Sequence, residues 1–249
     1  MKMCLRFLWG LPLALISNFD ALMLKNPNTV SNTFVCSIFD ISNYLEKHEA
    51  RLSIKLLIIS LLFVMTCFDE IEKTQTIYEI TRVSNIKRYE IKKVLTLIIY
   101  TVLFWRLFSA GTLFLSVVSS EKSLSITEID TLVKVSAGLI FCETAIALMV
   151  NLLSVAIRFK GKAIIASVSV IALFLISVKL TSSLSNNLII MALYPTTAMT
   201  IMFLSFAECL ITAGGWLIEV SVLSLAIAYI IDGRFNDNKN SYRKYKQII

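Results

Sequence analysis

The chain has 249 residues, of which 57% are hydrophobic and 16% charged, with a mean hydropathy of +0.76, a balance that excludes an ordinary soluble domain. Its net charge of +7 is carried by short segments between apolar runs, which argues against a nucleic-acid partner. Five scattered cysteines form no CxxC pair and no disulfide framework.

Lys2 and Arg6 precede the first apolar run, a pattern that fits either a signal peptide or a first membrane helix. Apolar character continues past Asp20 and no small-x-small cleavage site stands out, so a retained span near Leu5 to Leu24 is expected, kinked by Pro12. Lys25 to Arg51 is a mixed polar segment holding the lone histidine, His48, with a short amphipathic helix expected around Phe34 to Tyr44. Leu52 to Phe68 is the second expected span, with Lys55 near enough to one end to snorkel.

A charged loop, Asp69 to Lys93, separates the second and third spans. Six basic residues (Lys73, Arg82, Lys87, Arg88, Lys92, Lys93) are interleaved with five acidic ones (Asp69, Glu70, Glu72, Glu79, Glu90). Ile77, Tyr78, Ile80, Val83, Ile86 and Tyr89 lie among them, too many apolar groups for a plain solvated linker. Such interleaving suits a helix at a membrane surface or one docked on a partner protein. An anionic lipid surface is one candidate. The near balance of acids and bases, with a break at Ser84-Asn85 between two short helices, fits a protein surface better.

Val94 to Val118 is the third span, with Arg106 near its middle. The connector Ser119 to Thr131 carries Glu121, Glu128 and Asp130 against Lys122. Leu132 to Ile157 is the fourth span and holds Glu143, the basic turn Arg158 to Lys162 follows, and Ala163 to Leu180 is the fifth. Leu188 to Phe206 is long enough to span but is broken by Pro195, Thr196 and Thr197, the pattern of a re-entrant hairpin. The sixth span is Leu210 to Ile231, with Gly214, Gly215 and Glu219, and a basic tail ends the chain.

These runs reach the ~20 residues a membrane helix needs and do not alternate as barrel strands would. With only 3 prolines and 7 glycines to interrupt them, the expected class is all-α, a single polytopic membrane helix bundle over residues 1–249. Six spans with the 188–206 run re-entrant place both termini and 16 of the 24 basic residues on the cytosolic side. A full crossing by Leu188–Phe206 would put the basic tail outside.

Enzyme signatures are missing. One histidine cannot build a two-histidine metal site, and neither GxxxxGK[ST] nor GxSxG occurs, so no catalytic residue, metal or cofactor is assigned. The informative polar residues are the mid-span charges Arg106, Glu143 and Glu219. Charges at that depth are costly and usually face the bundle interior. They serve a substrate path or gate, or they form a structural pair of Arg106 with Glu143 or Glu219. Gly214-Gly215 either lets two helices approach closely or loosens the start of a span.

The segment TRVSNIKRYEIKKVLTLIIYTVLF resembles the first cytosolic loop and third span of small ABC transporter permeases of the exporter class. The six-span order and the broken run before the last span are similar too. The resemblance covers the whole chain as topology, in a family that shares pattern rather than fixed motifs. It implies that Ile77, Tyr78, Ile80, Arg82, Val83, Ile86, Lys87, Arg88 and Tyr89 form a coupling element docked on a separate ATPase subunit. Arg82, Lys87 and Arg88 would be its polar contacts. It further implies a second permease subunit, alike or different, a place in the cytoplasmic membrane among its lipids, and export of, or immunity to, antimicrobial peptides. Two departures stand out: little polar sequence precedes the first span, and the Lys25–Arg51 segment is long. The competing readings are a non-transporting membrane immunity or accessory protein, and an ion-coupled secondary transporter using Arg106, Glu143 and Glu219. The transporter needs internal repeats, and the two halves show no convincing self-similarity. An intramembrane enzyme ranks last.

Overall fold

The structure is a computed structural model that describes residues 7–18, 30, 33–34, 58–65, 86–119, 125–156, 168 and 206–246. Among the described residues every regular element is helical and there is no strand. Four helices are delimited: α1 (Gly10–Ser17), α2 (Ile86–Ser119), α3 (Ile126–Ala156) and α4 (Phe206–Lys246). At 1.5 Å per residue, α2, α3 and α4 exceed the ~30 Å of a bilayer's hydrocarbon core. Val94–Ser119, Ile126–Leu153 and Ala207–Ile230 are long and apolar enough to cross a membrane, so the chain is a helical membrane protein.

In the bundle, α1 packs on α2, α2 on α3, and α4 on both α3 and α2. Residues 58–65 are helical and supply Phe63 to the core. The Phe63 ring lies 4.8 Å from Phe104 and 5.7 Å from Trp105, centroid to centroid, and Trp105 meets Phe108 edge-on at 5.1 Å. Three of the polar groups of α2 that turn inward are satisfied inside the helix. Thr101, Thr112 and Ser116 donate to the carbonyls four residues earlier at 2.9, 3.0 and 2.9 Å. That back-bonding lets hydroxyls sit in an apolar interior.

The close α1–α2 approach depends on small residues. A Cβ placed at Gly10 would collide with the Phe104 carbonyl, and one at Gly111 would come within 2.8 Å of the Ala14 Cβ. Gly10 and Ala14 stand one turn apart, so the two backbones meet along a small-residue strip. Gly214, for which close helix approach is one of two open readings, meets nothing within 4 Å.

Element ends differ from the expected spans in four places, one of them α2, which starts at Ile86 within the expected charged loop rather than at Val94. The described first helix runs Phe7–Ser17, shorter than a span needs, and residues 19–24 lie outside the described set. Asn18 ends it: its backbone N–H donates to the Ala14 carbonyl at 3.1 Å and its side-chain amide donates to Thr112 Oγ1 at 2.9 Å. Then α3 starts at Ile126 rather than near Leu132, because Ser125 and Glu128 form a reciprocal cap. The Ser125 N–H donates to Glu128 Oε2 at 2.8 Å and the Glu128 N–H donates to Ser125 Oγ at 3.3 Å. The Lys134–Asp130 ion pair at 2.8 Å supports the next turn. Finally α4 runs on through the polar tail to Lys246, where no proline stops it. The fifth span (only residue 168 is described) and the 188–206 hairpin (only Phe206, which opens α4, is described) otherwise lie outside the described residues.

Candidate functional site

The mid-span charges fall in three settings. Glu143 on α3 is fully buried. Its Oε1 accepts a short hydrogen bond from Ser60 Oγ, itself fully buried in the 58–65 helix. Glu143 Oε2 is buried with no hydrogen-bond partner. Arg106 stands at the centre of the α2 span on its exposed face. Glu219 stands at the centre of the α4 span and is half-buried.

The expected pairing of Arg106 with Glu143 or Glu219 is not made among the described residues. Helix periodicity explains why. Phe104, Trp105 and Phe108 turn the inner face of α2 to the core, so Arg106 shares the outer face with Ile99, Leu103 and Ala110. Glu143 belongs to the buried stripe of α3 that includes Leu139, Ile146 and Val150. A charge at the centre of a span costs on the order of 3 kcal/mol by insertion scales, and for Glu143 the Ser60 hydroxyl offsets part of that.

Two polar contacts at the same centre are not foreshadowed by the sequence. Trp216 Nε1 donates to the Phe141 carbonyl at 2.8 Å, and the Trp216 and Phe141 rings stack with centroids 4.4 Å apart. This fixes α4 on α3 one turn before Glu219 and two residues before Glu143. Ser60 is the other. A serine within an apolar run is a common span constituent, and nothing local marks it as the partner of a carboxylate 83 residues away. Trp105 Nε1 and Ser109 Oγ are also buried without a hydrogen-bond partner, so the interior of α2 is more polar than its hydropathy implies.

The coupling residues divide between described and undescribed chain. Ile77, Tyr78, Ile80, Arg82 and Val83 lie outside the described residues, whereas Ile86, Lys87, Arg88 and Tyr89 open α2. From there the helix continues without a break through the membrane-spanning part to Ser119.

No cluster of three or more His, Cys, Asp or Glu side chains among the described residues is arranged to hold a metal ion. The assembled chemistry is therefore a buried carboxyl held by a hydroxyl, an exposed guanidinium and a half-buried carboxyl, all carried by helices. Comparison of the chain with protein-family models, with curated proteins and with solved structures finds no match.

Proposed function

We propose that this chain is the membrane-spanning permease subunit of an ATP-driven ABC exporter, moving a peptide or amphiphilic substrate across the cytoplasmic membrane. In this reading it has no ATP-binding motif of its own and works with a separate ATPase subunit and a second permease subunit. Six spans, a re-entrant hairpin over 188–206 and cytosolic termini complete the architecture, distributing the basic residues to one side.

The observation that carries the reading is the continuity of α2. Lys87, Arg88 and Tyr89 belong to the same uninterrupted 34-residue helix as the span beginning at Val94. A helix with no proline or mid-length break moves as a rod, so a displacement imposed on its first turn is passed to Trp105 and the core around it. Closure of an ATPase dimer on the 77–89 segment would supply that displacement, and the spans would respond by opening a path alternately to the two sides of the membrane.

Arg82→Glu together with Arg88→Glu tests this in membrane vesicles holding the permease and its ATPase. The expected result is ATP hydrolysis that no longer drives substrate movement. Unchanged transport would remove the coupling role. A phenotype that survives deletion of the ATPase would instead support a membrane immunity or accessory protein.

A further inference from the structure

Arg106 and Glu219 share three properties. Each sits at the centre of its span, each carries a charge of sign opposite to the other, and neither has an ion-pair partner among the described residues. The acid that could compete for Arg106, Glu143, is fully buried and already engaged by Ser60. The sequences expected to form the second and fifth spans, 52–68 and 163–180, and the re-entrant run 188–206 contain no Asp or Glu, and Asp20 falls near one end of the first run. Glu219 is therefore the acid that matches Arg106 in depth.

Within one chain the two do not meet, because Arg106 points away from the core that α2 shares with α3 and α4. The face it occupies is otherwise apolar: Leu95, Ile99, Leu103, Ala110 and Phe114 follow one another at helical spacing and are all exposed. Ala110, one turn beyond Arg106, leaves room for a neighbouring helix to come close. On α4, the exposed side chains of Ile218 and Val222 bracket Glu219 in the same apolar manner.

We propose that a second copy of this chain covers the Arg106 face of α2, with Arg106 of each copy paired to Glu219 of the other. The contact is self-complementary, so a two-fold arrangement makes the pair twice. It gives each mid-span charge a partner in a medium where an unpaired one is costly. The inference rests on the paired-subunit part of the functional reading and is independent of what drives transport.

The test uses two differently tagged full-length copies, co-expressed and purified through one tag in mild detergent, with recovery of the other tag measured. Wild-type copies are expected to associate. When both copies carry Arg106→Glu, or both carry Glu219→Arg, recovery should fall about tenfold or more, because like charges then face each other. An Arg106→Glu copy mixed with a Glu219→Arg copy sets an acid against a base at both contacts, so this mixed pair should recover wild-type association although each variant alone does not. A chain carrying both substitutions restores opposite charges at both contacts and should recover wild-type association, which also shows that the variants fold. Association that Arg106→Glu leaves unchanged would overturn the proposed surface while sparing the paired-subunit reading. Absence of any wild-type association would overturn the surface and the homodimeric form of that reading together. To separate pairing between copies from pairing within one, a cysteine at each of positions 106 and 219, on different tagged copies, is oxidised. A disulfide joining the two tags is expected, and its absence, with a disulfide forming instead inside a copy that carries both cysteines, would overturn the proposal.

Discussion

The indole N–H of Trp216 donates to the carbonyl oxygen of Phe141 at 2.8 Å while the two rings stack at 4.4 Å. One side chain of α4 is thus tied to both the backbone and the side chain of α3, at the depth where Glu143 and Glu219 lie. Trp216→Phe keeps the stack and deletes the hydrogen bond, which should lower stability by about 0.5–2 kcal/mol. Trp216→Ala deletes both and should cost about 3–5 kcal/mol. Thermal unfolding in detergent, followed by near-ultraviolet circular dichroism, separates the two. Equal losses would mean that the stack contributes nothing beyond the hydrogen bond.

Ser60 and Glu143 should behave as a unit. Ser60→Ala leaves a buried carboxyl oxygen without its donor, a change expected to cost about 1–3 kcal/mol. Glu143→Gln retains an acceptor for the hydroxyl and should be milder. The double variant Ser60→Ala with Glu143→Leu removes both polar partners and should be less damaging than Ser60→Ala alone. Additive losses in a double-mutant cycle would contradict this coupling.

The glycine contact between α1 and α2 predicts an asymmetry along the sequence. Gly111→Val must push α1 away from α2, because even a Cβ there lies 2.8 Å from Ala14, and a loss of about 1–3 kcal/mol is expected. Gly214→Ala meets nothing within 4 Å and should be neutral, or stabilising by up to about 1 kcal/mol through helix propensity. Parallel denaturation of the two variants checks the ranking.

At the start of α3, Ser125→Ala should cost about 1 kcal/mol, since it removes the side-chain acceptor of the Glu128 N–H. Glu128→Ala removes the reciprocal acceptor of the Ser125 N–H, and the two losses should be less than additive. Hydrogen exchange at residues 126–130 reads the fraying directly.

Three spans are legible from hydropathy alone, because a helix in hydrocarbon must be apolar along ~20 residues whatever it packs against. Val94–Ser119 matches the expected third span at one end and lies within a residue of it at the other. The beginning of α3 is readable in principle from the Ser125–Glu128 spacing, yet the acidic connector masks it: Glu128 and Asp130 lower the hydropathy of a turn that is nonetheless helical. The extension of α4 to Lys246 is hidden for a related reason, since a polar helix beyond the membrane has no apolar stretch to announce it. At the candidate site, position in the span discloses that Arg106, Glu143 and Glu219 are at membrane depth, but not which way each faces. Direction depends on which neighbours share the face. Phe104, Trp105 and Phe108 claim the interior of α2 and turn Arg106 outward, whereas Ser60 receives Glu143 inside.

In the proposed function a separate ATPase engages the segment leading into α2. The most direct measurement is purification of the full-length protein from native membranes in a mild detergent, with mass spectrometry of what accompanies it. A stoichiometric ATPase subunit that is lost when residues 77–89 are scrambled is the expected result. Protein recovered without any ATPase, in a detergent that preserves known transporter complexes, would contradict it.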